Sequence, residues 1–406
     1  MADAQDANLP APISGAEPLV IGNDEFETSF GESLSQTLDL ETWQPGENLP
    51  ALYGRLEREI EDAIQQESGM RERIRQEIFP KLAKRRGAPK NAGVYAARPE
   101  EVEKVHLGLL FNGAVEACDG TSVVNDRLPI TIAQIGVCLV SYQGDQGSWV
   151  HRLYRRDLRV SGADPVEEVL AILDRRRERG GFDASSRRDV LSDLARRGIM
   201  TYAERAVLLQ KAEAPWRMGH GNPAPYELLT GSGMKDLLES SIGLMTALIE
   251  HEKFIFVPSA PANRMLLTIG NALRPLEFAI IDTLQPSLER IVEQGHYRGD
   301  WAPLVDELRR FVRDVGSKIV VGAYRASAMA PAQLFYAHVD HAHEAALIAL
   351  ADSVLQEHKG FPMLIDLAHT VCSATFGTDA FGSLVDLAYV EAGAPFRYTP
   401  ERQMRR

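Results

Sequence analysis

The chain contains 406 residues, of which 45% are hydrophobic and 25% are charged, and its formal net charge is −13. This length excludes one small scaffold and predicts two or three structural units, or one large domain with insertions. The composition is typical of a globular protein with a substantial core, which excludes fibrous and wholly disordered chains.

Cysteine usage and hydropathy together predict a cytoplasmic protein. Cys118, Cys138 and Cys372 are odd in number and far apart, so they offer neither a disulfide framework nor a paired zinc-ligand spacing. The N-terminus lacks a basic stretch followed by an apolar one, and no run of about 18 apolar residues occurs in the chain. We therefore expect no export signal and no membrane contact.

The negative charge is concentrated in an N-terminal tail. Residues 1–50 contain ten acidic residues and neither lysine nor arginine, so the other 356 residues hold 47 acidic and 44 basic residues, a net charge of −3. A nearly balanced body is compatible with a local groove for nucleic acid. The tail is rich in Pro, Gly and Ser, and we expect it to be disordered or to fold on a partner.

A helical arm is predicted for residues 51–100. Apolar side chains recur in steps of four residues, at Leu52, Leu56, Ile60 and Ile64, and again at Met70, Ile74, Ile78 and Leu82. Pro80 is expected to end or kink this helix, and a basic run follows it. The narrow apolar stripe predicts packing against another protein chain or, equally, against the body of its own chain.

Residues 101–406 show the alternation of strands and helices that predicts an α/β domain. Three β-prone runs, Ala114–Cys118, Leu128–Tyr142 and Trp149–Val160, are predicted to form antiparallel strands. An arginine-rich helical insertion is expected at about 161–233. A solvated, salt-bridged surface is its default interpretation, and a DNA-facing rim is the alternative.

Three residues carry the candidate chemistry. Asp119 follows an apolar run and precedes a glycine, which suits either a metal-binding carboxylate at a strand end or an ordinary turn. Glu239 lies at the edge of the apolar face of a predicted helix, where it is either a functional acid or a surface residue. His369 follows an apolar segment, where a histidine is either a ligand or a satisfied core residue.

Three segments carry a resemblance to a known family. Residues 114–121 read AVEACDGT, the helix with Glu239 is followed by the run FIFV at 254–257, and residues 360–369 read GFPMLIDLAH. Together they resemble the NurA family of DNA-end-processing nucleases. Its first strand ends in Asp-Gly-Ser/Thr, a helical glutamate precedes a later strand, and its C-terminal signature is Gly-Tyr-Pro…Ala-His. The likeness runs loosely from about residue 52 to the end.

The resemblance implies an RNase H-like fold for residues 101–406, with a mixed sheet and flanking helices. It also implies metal-dependent hydrolysis of DNA, in which Asp119, Glu239 and His369 hold Mn²⁺ or Mg²⁺ and activate the attacking water. DNA contacts are implied for Arg325 and Phe361. The expected partners are DNA, a HerA-like hexameric ATPase and a second copy of the chain, in DNA repair or in defence against foreign DNA.

Two departures from the family pattern leave other functions open. The family places a second aspartate in a strand about twenty residues after its glutamate, whereas the corresponding strand here runs into Pro258. The tyrosine of the C-terminal signature is Phe361, which lacks a hydroxyl for a phosphate contact. The alternative is a catalytically degenerate subunit that guides DNA or regulates the ATPase, and an unrelated α/β interaction protein is a third interpretation.

A second cluster of metal-ligand types lies at residues 338–344, which read HVDHAHE. Such a density of imidazoles and carboxylates is compatible with a Zn²⁺ or Mn²⁺ site, although real sites need ligands that converge on one point. Asp340 is equally well placed to cap the helix that follows.

Overall fold

The computed structural model describes residues 23–43, 48–127, 129–155, 166, 193–259, 264–294 and 301–394. The chain divides into two compact units, Met1–Gln76 and Glu77–Arg406.

The described part of the first unit is helical. It contains α1 (Asn23–Phe30), α2 (Leu34–Leu38) and α3 (Leu49–Glu77), whose last residue belongs to the second unit. The Ser33 side chain accepts a hydrogen bond from the backbone of Gln36, which starts α2 with a capping box. Two of these helices lie within the segment whose composition predicts disorder, and residues 1–22 and 44–47 of that segment lie outside the described part.

Helix α3 carries the predicted apolar stripe. Its apolar side chains at positions 52, 56, 60 and 64 are 40–59% exposed. The helix ends at Glu77, three residues before Pro80, whose ring cannot continue a helical hydrogen-bond ladder. The later part of the predicted arm belongs to the second unit and differs from a helix, because Gly93–Ala96 pairs there as a strand with residues 277–280.

A mixed sheet organises the described part of the second unit. Its strands are β1 (Gly93–Ala96), β2 (Val115–Arg127), β3 (Ile130–Ser141), β4 (Gly144–Arg155), β5 (Trp216–His220), β6 (Phe254–Val257), β7 (Glu277–Thr283), β8 (Ile319–Arg325) and β9 (Gln333–His338). Their order across the sheet is β1-β7-β8-β9-β6-β5-β2-β3-β4.

The part of the sheet from β4 to β6 has an RNase H-like arrangement. Strands β2, β3 and β4 form an antiparallel meander. Strands β5 and β6 then add parallel to β2, which gives the order β4-β3-β2-β5-β6. Strands β9, β8, β7 and β1 extend this core with antiparallel pairs. The fold is therefore the mixed α/β, RNase H-like class that the resemblance implies.

Helices cover both faces of the sheet. They are α4 (Pro99–Val105), α5 (Asp193–Gln210), α6 (Tyr226–Leu229), α7 (Lys235–Glu250), α8 (Arg264–Asn271), α9 (Gln285–Gln294), α10 (Ala302–Asp314), α11 (Ala342–Val354), α12 (Met363–Phe376) and α13 (Thr378–Glu391). One core cluster packs α4, α11 and α12 on one face, and another packs α5, α6, α7, α9 and α10 on the other. None of the described helices is both long and apolar enough to cross a membrane.

Two boundaries expected from the sequence differ in the structure. Strand β2 does not stop at Asp119 but continues to Arg127, because β3 pairs with it over this whole stretch. The predicted helical insertion at about 161–233 contains α5 and β5, which belong to the core around β2. Residues 156–165 and 167–192 of that region lie outside the described part.

Candidate active site

Asp119 lies where the sheet changes its pairing. The parallel pairing of β2 with β5 ends at Cys118 and Gly219, whereas the antiparallel pairing of β2 with β3 continues beyond it. Successive side chains of a strand alternate between faces, and Ala117 packs in the core cluster of α11 and α12. Asp119 therefore faces α12, and its exposed fraction is only 2%.

Both carboxylate oxygens of Asp119 contact imidazoles. The Nδ1 atom of His220, the last residue of β5, is 3.2 Å from Oδ1. The Nδ1 atom of His369 on α12 is 2.8 Å from Oδ2. The hydrogen bond to Asp119 raises the pKa of His220 against the opposing effect of burial. A carboxylate that can only accept hydrogen bonds thus orients two rings that can move protons.

The ring of His220 is fixed on its other sides as well. Its Nε2 atom is 2.9 Å from the hydroxyl of Ser259, two residues beyond the end of β6. Phe361 packs edge-on against the ring, with centroids 6.0 Å apart and an interplanar angle of 85°. Phe361 itself is 9% exposed and belongs to the core cluster. The side chain of His369 is more open, at 61% exposed.

A buried ion pair lies against the backbone beside Asp119. Glu204 and Arg205 on α5 are 6% and 1% exposed, and Arg205 Nη1 donates to Glu204 Oε2 at 2.9 Å. A Cβ atom added to Gly120 would lie 2.6 Å from Glu204 Oε1, so the close approach depends on this glycine. Burial raises the pKa of Glu204 to about 7, Arg205 opposes this shift, and Asp119 adds to it.

Some of the site residues predicted from the sequence lie at this centre, and others lie away from it. Asp119 and His369 are in direct contact. Glu239 is an exposed residue of α7, and no hydrogen bond or ion pair joins it to Asp119 within the part of the chain described. Arg325 ends β8, four strands from β2 or about 19 Å. Its guanidinium donates to the carbonyls of Leu273 at 3.3 Å and of neighbouring loop residues.

The donor set at this centre differs from what a divalent ion needs. Within the described ranges, no group of three or more His, Cys, Asp or Glu side chains is arranged to hold a metal ion. Both oxygens of Asp119 face imidazole nitrogens, and Glu204 is paired with Arg205, so the carboxylates already have partners. The arrangement as it stands does not fit the ion that the resemblance implies.

The second cluster of ligand types is engaged in separate contacts. His338 Nδ1 is 3.8 Å from Asp340, and the two ring nitrogens of His341 lie 3.5 Å from Glu252 and 3.9 Å from Glu344. The rings also pack against aromatic neighbours, His341 against Trp216 among them. These contacts do not converge on one point, which agrees with the lack of a metal group among the described residues.

Sequence reasoning missed His220, Ser259 and Glu204. Residues 215–233 fall within the predicted helical insertion, although WRMGH within them forms the core strand β5. One signal was available. Glu204 precedes His220 by 16 residues, close to the spacing of about twenty that the family shows between its glutamate and its second aspartate.

The comparisons with known proteins gave distant structural likenesses. No protein-family model and no curated protein matches the sequence. The NurA nuclease from Sulfolobus solfataricus is 12% identical with a TM-score of 0.45, and the match covers 86% of this chain and 99% of that one. A NurA structure with manganese is 10% identical with a TM-score of 0.38, covering 72% and 95%.

An endonuclease V from Ciona intestinalis, in complex with DNA, is 11% identical with a TM-score of 0.27, and the match covers 64% of this chain and 84% of that one. Because one fold supports many activities, likenesses at these levels leave the function to be argued from the site itself.

Proposed function

We propose that this protein hydrolyses phosphodiester bonds of DNA. The observation that carries the proposal is a buried carboxylate, Asp119, that holds His220 and His369 on its two oxygens at 3.2 and 2.8 Å. Imidazoles held by a carboxylate are the usual acid and base groups of hydrolases at neutral pH. The site lies at the carboxyl end of β5, where the sheet opens beyond its last parallel pair.

The choice of DNA as the substrate in this proposal rests on the resemblance to NurA. Two of the three segments that resemble NurA meet in space, because Asp119 comes from the first and His369 from the third. The edge-on packing of Phe361 against His220 brings a second residue of the third segment to the site. This meeting of segments about 250 residues apart supports DNA as the substrate.

His369 is the group that activates water in the proposed reaction. When its Nδ1–H donates to Asp119, Nε2 is left unprotonated and can accept the proton of an attacking water. The exposed side chain gives water and substrate access to this nitrogen. Asp119 stabilises the imidazolium that forms, as the carboxylate of a catalytic triad does.

Four further expectations from the resemblance stay proposals. They are dependence on Mn²⁺ or Mg²⁺, which the existing pairing of Asp119 and Glu204 does not favour, DNA contacts of Arg325 and Phe361, partnership with a HerA-like ATPase, and a homodimer. The exposed apolar stripe of α3 supports an association surface. Light scattering of the purified chain tests the dimer, and a monomeric mass at all concentrations would refute it.

One observation favours a second candidate function. The carboxylates at the site are already paired, with Asp119 held by imidazoles and Glu204 by Arg205, and the described residues contain no metal-binding group. A degenerate subunit that binds and guides DNA without cutting it is consistent with this pairing. Binding of labelled DNA without any cleavage, alone and with the ATPase, would favour this candidate.

The direct test is cleavage of end-labelled linear and single-stranded DNA by the purified protein. Parallel reactions contain Mn²⁺, Mg²⁺ or a chelator. We expect DNA to shorten, and the chelator lane decides whether a divalent ion is needed. Intact DNA under every condition would contradict the proposal.

Two matched variants decide whether Glu204 or Glu239 contributes to DNA cleavage. Glu204 is buried beside Asp119, whereas Glu239 is exposed on α7. We expect Glu204→Gln to slow DNA cleavage by at least about tenfold and Glu239→Gln to change it less than twofold, since Glu204 packs against Gly120, the residue next to Asp119, whereas Glu239 is exposed. The reverse ranking would return the role to Glu239.

A further inference from the structure

We propose that Ser259, His220 and Asp119 form a nucleophilic triad in which the Ser259 hydroxyl attacks a phosphate ester. This inference deepens the proposed function and rests on it for the natural source of the ester, a DNA strand. It assigns a covalent step to Ser259, which lies outside the three segments that resemble NurA.

The three side chains form one continuous hydrogen-bonded chain. Ser259 Oγ is 2.9 Å from His220 Nε2, and His220 Nδ1 is 3.2 Å from Asp119 Oδ1. A neutral imidazole satisfies both contacts in only one tautomer, because the carboxylate can only accept. Nδ1–H then donates to Asp119, and Nε2 accepts from the serine hydroxyl. A hydroxyl, an imidazole and a carboxylate in this order are the parts of a serine nucleophile.

The sheet explains why the three residues meet. Asp119 and His220 lie on the adjacent strands β2 and β5, and Ser259 lies in the segment that follows β6, the next strand of the sheet, at the end where the parallel pairing stops. His220 is paired with Val257, two residues before Ser259, so the serine lies just beyond the imidazole. In the core cluster, Trp216, Met218, Ile255 and Val257 share the face of Asp119. Alternation along β5 puts His220 on this side as well, and the contact of Ser259 Oγ with His220 Nε2 places the serine beside it.

Burial and exposure differ along the triad in the way that nucleophilic catalysis requires. Asp119 is almost fully buried, the His220 side chain is 35% exposed, and Ser259 is exposed. The edge of Phe361 fixes the plane of the imidazole, so little reorganisation is needed at the moment of reaction. The serine hydroxyl is therefore accessible to a large ester, while its base is held in place.

Ser373 also approaches a histidine of the site but is a poorer candidate. Its Oγ lies 3.4 Å from His369 Nε2, at the limit of a hydrogen bond, and it sits one turn away on the same helix. Ser259 has the shorter contact and comes from a separate segment, after β6. The geometry thus selects Ser259.

The proposed reaction balances without any redox partner. Ser259 Oγ attacks phosphorus, its proton passes to His220 Nε2, the P–O bond to the departing nucleoside breaks, and the imidazolium protonates the leaving oxygen. Water then attacks the phosphoserine, its proton passes to an imidazole, and that imidazole protonates Oγ as the P–Oγ bond breaks, which restores the serine. One water is consumed, and the products are an alcohol and a phosphate monoester.

A fluorophosphonate probe tests the triad independently of DNA cleavage. The full-length protein is incubated with the probe, and the labelled peptide is identified by mass spectrometry. We expect one phosphonylated residue, Ser259, since a general base activates its hydroxyl. His220→Gln should slow labelling by at least about 100-fold, and Ser259→Ala should abolish it. Ser383→Ala, which removes another exposed serine, should label like the wild type.

Each outcome is decisive for one proposal. Absence of label on Ser259 in the wild-type protein, or labelling that persists at the same rate in His220→Gln, overturns the triad, and neither result depends on the folding of a Ser259 variant. DNA cleavage that continues unchanged in Ser259→Ala overturns the triad and leaves the proposed function standing. Labelling of Ser259 by a protein that never cuts DNA supports the triad and overturns DNA as its substrate.

Discussion

Asp119 is a carboxylate with almost no solvent contact whose two oxygens are both used to orient imidazoles. Burying such a group is unfavourable unless it is hydrogen-bonded or paired, and here the histidines supply those partners. Glu204 is likewise a buried carboxylate with a hydrogen-bond partner, on the other face of the sheet, where Arg205 donates to it. Gly120 lies between the two acids. Because it has no side chain, it leaves room for Glu204.

The fit at Gly120 predicts a residue-specific loss of stability. In Gly120→Ala the new Cβ would meet Glu204 Oε1 at 2.6 Å and Met200 Cγ at 2.8 Å. We expect the free energy of unfolding to fall by about 1–3 kcal/mol, because overpacking forces a buried ion pair to move. Urea denaturation measures this change.

A second glycine provides the control for that prediction. Gly243 lies within α7, and a Cβ atom there would have no neighbour within 4 Å. Gly243→Ala should raise the free energy of unfolding by about 0.5–1 kcal/mol, since alanine is the better helix former. Equal effects of the two substitutions would contradict the packing argument at Gly120.

At the scale of elements, local sequence patterns predicted the helices and strands whose formation depends on residues close together in the chain. The stripe of α3, the long strand β3 and the predicted helix that contains Glu239, observed as α7 (Lys235–Glu250), follow from periodicity alone. Strand β5 could not be predicted in this way, because its pairing with β2 joins residues about 100 positions apart. His220 owes its place to that pairing. Asp119 and His369 were found because a recognisable segment surrounds each.

Another element junction predicts a pH-dependent stability. Asp352 on α11 is fully buried, accepts from the Tyr142 hydroxyl just after β3, and accepts from the Leu364 backbone of α12 at 2.9 Å. Burial raises its pKa from 3.8 to about 6. A raised carboxyl pKa means that stability is present below the unfolded pKa and is lost as pH rises through about 6.

We expect Asp352 to lower the free energy of unfolding by about 2 kcal/mol between pH 4.5 and pH 7.5. Urea denaturation at both pH values, for the wild type and for Asp352→Asn, isolates this contribution from the other titrating groups. The variant should lack that part of the pH dependence. An identical pH dependence in both proteins would show that Asp352 ionises in the fold as it does in the unfolded chain.

At the scale of the molecule, the fold brings residues 119, 220 and 259 together at the carboxyl ends of β5 and β6, and α12 adds residue 369. The net charge of −13 does not oppose a DNA substrate, because ten of the acidic groups lie in residues 1–50. Phosphate contacts depend on local basic groups and weaken with salt. The net charge of the whole chain is therefore a weaker indicator of the substrate than the residues at this site.

The most direct test of the role of Asp119 is the rate of DNA cleavage by Asp119→Asn beside the wild type. Asp126→Asn, an exposed carboxylate on the same strand, is the matched control. An amide at position 119 cannot hold both imidazoles as acceptor, so we predict a loss of at least about 100-fold, with near wild-type cleavage in the control. Cleavage by Asp119→Asn at the wild-type rate would contradict the account.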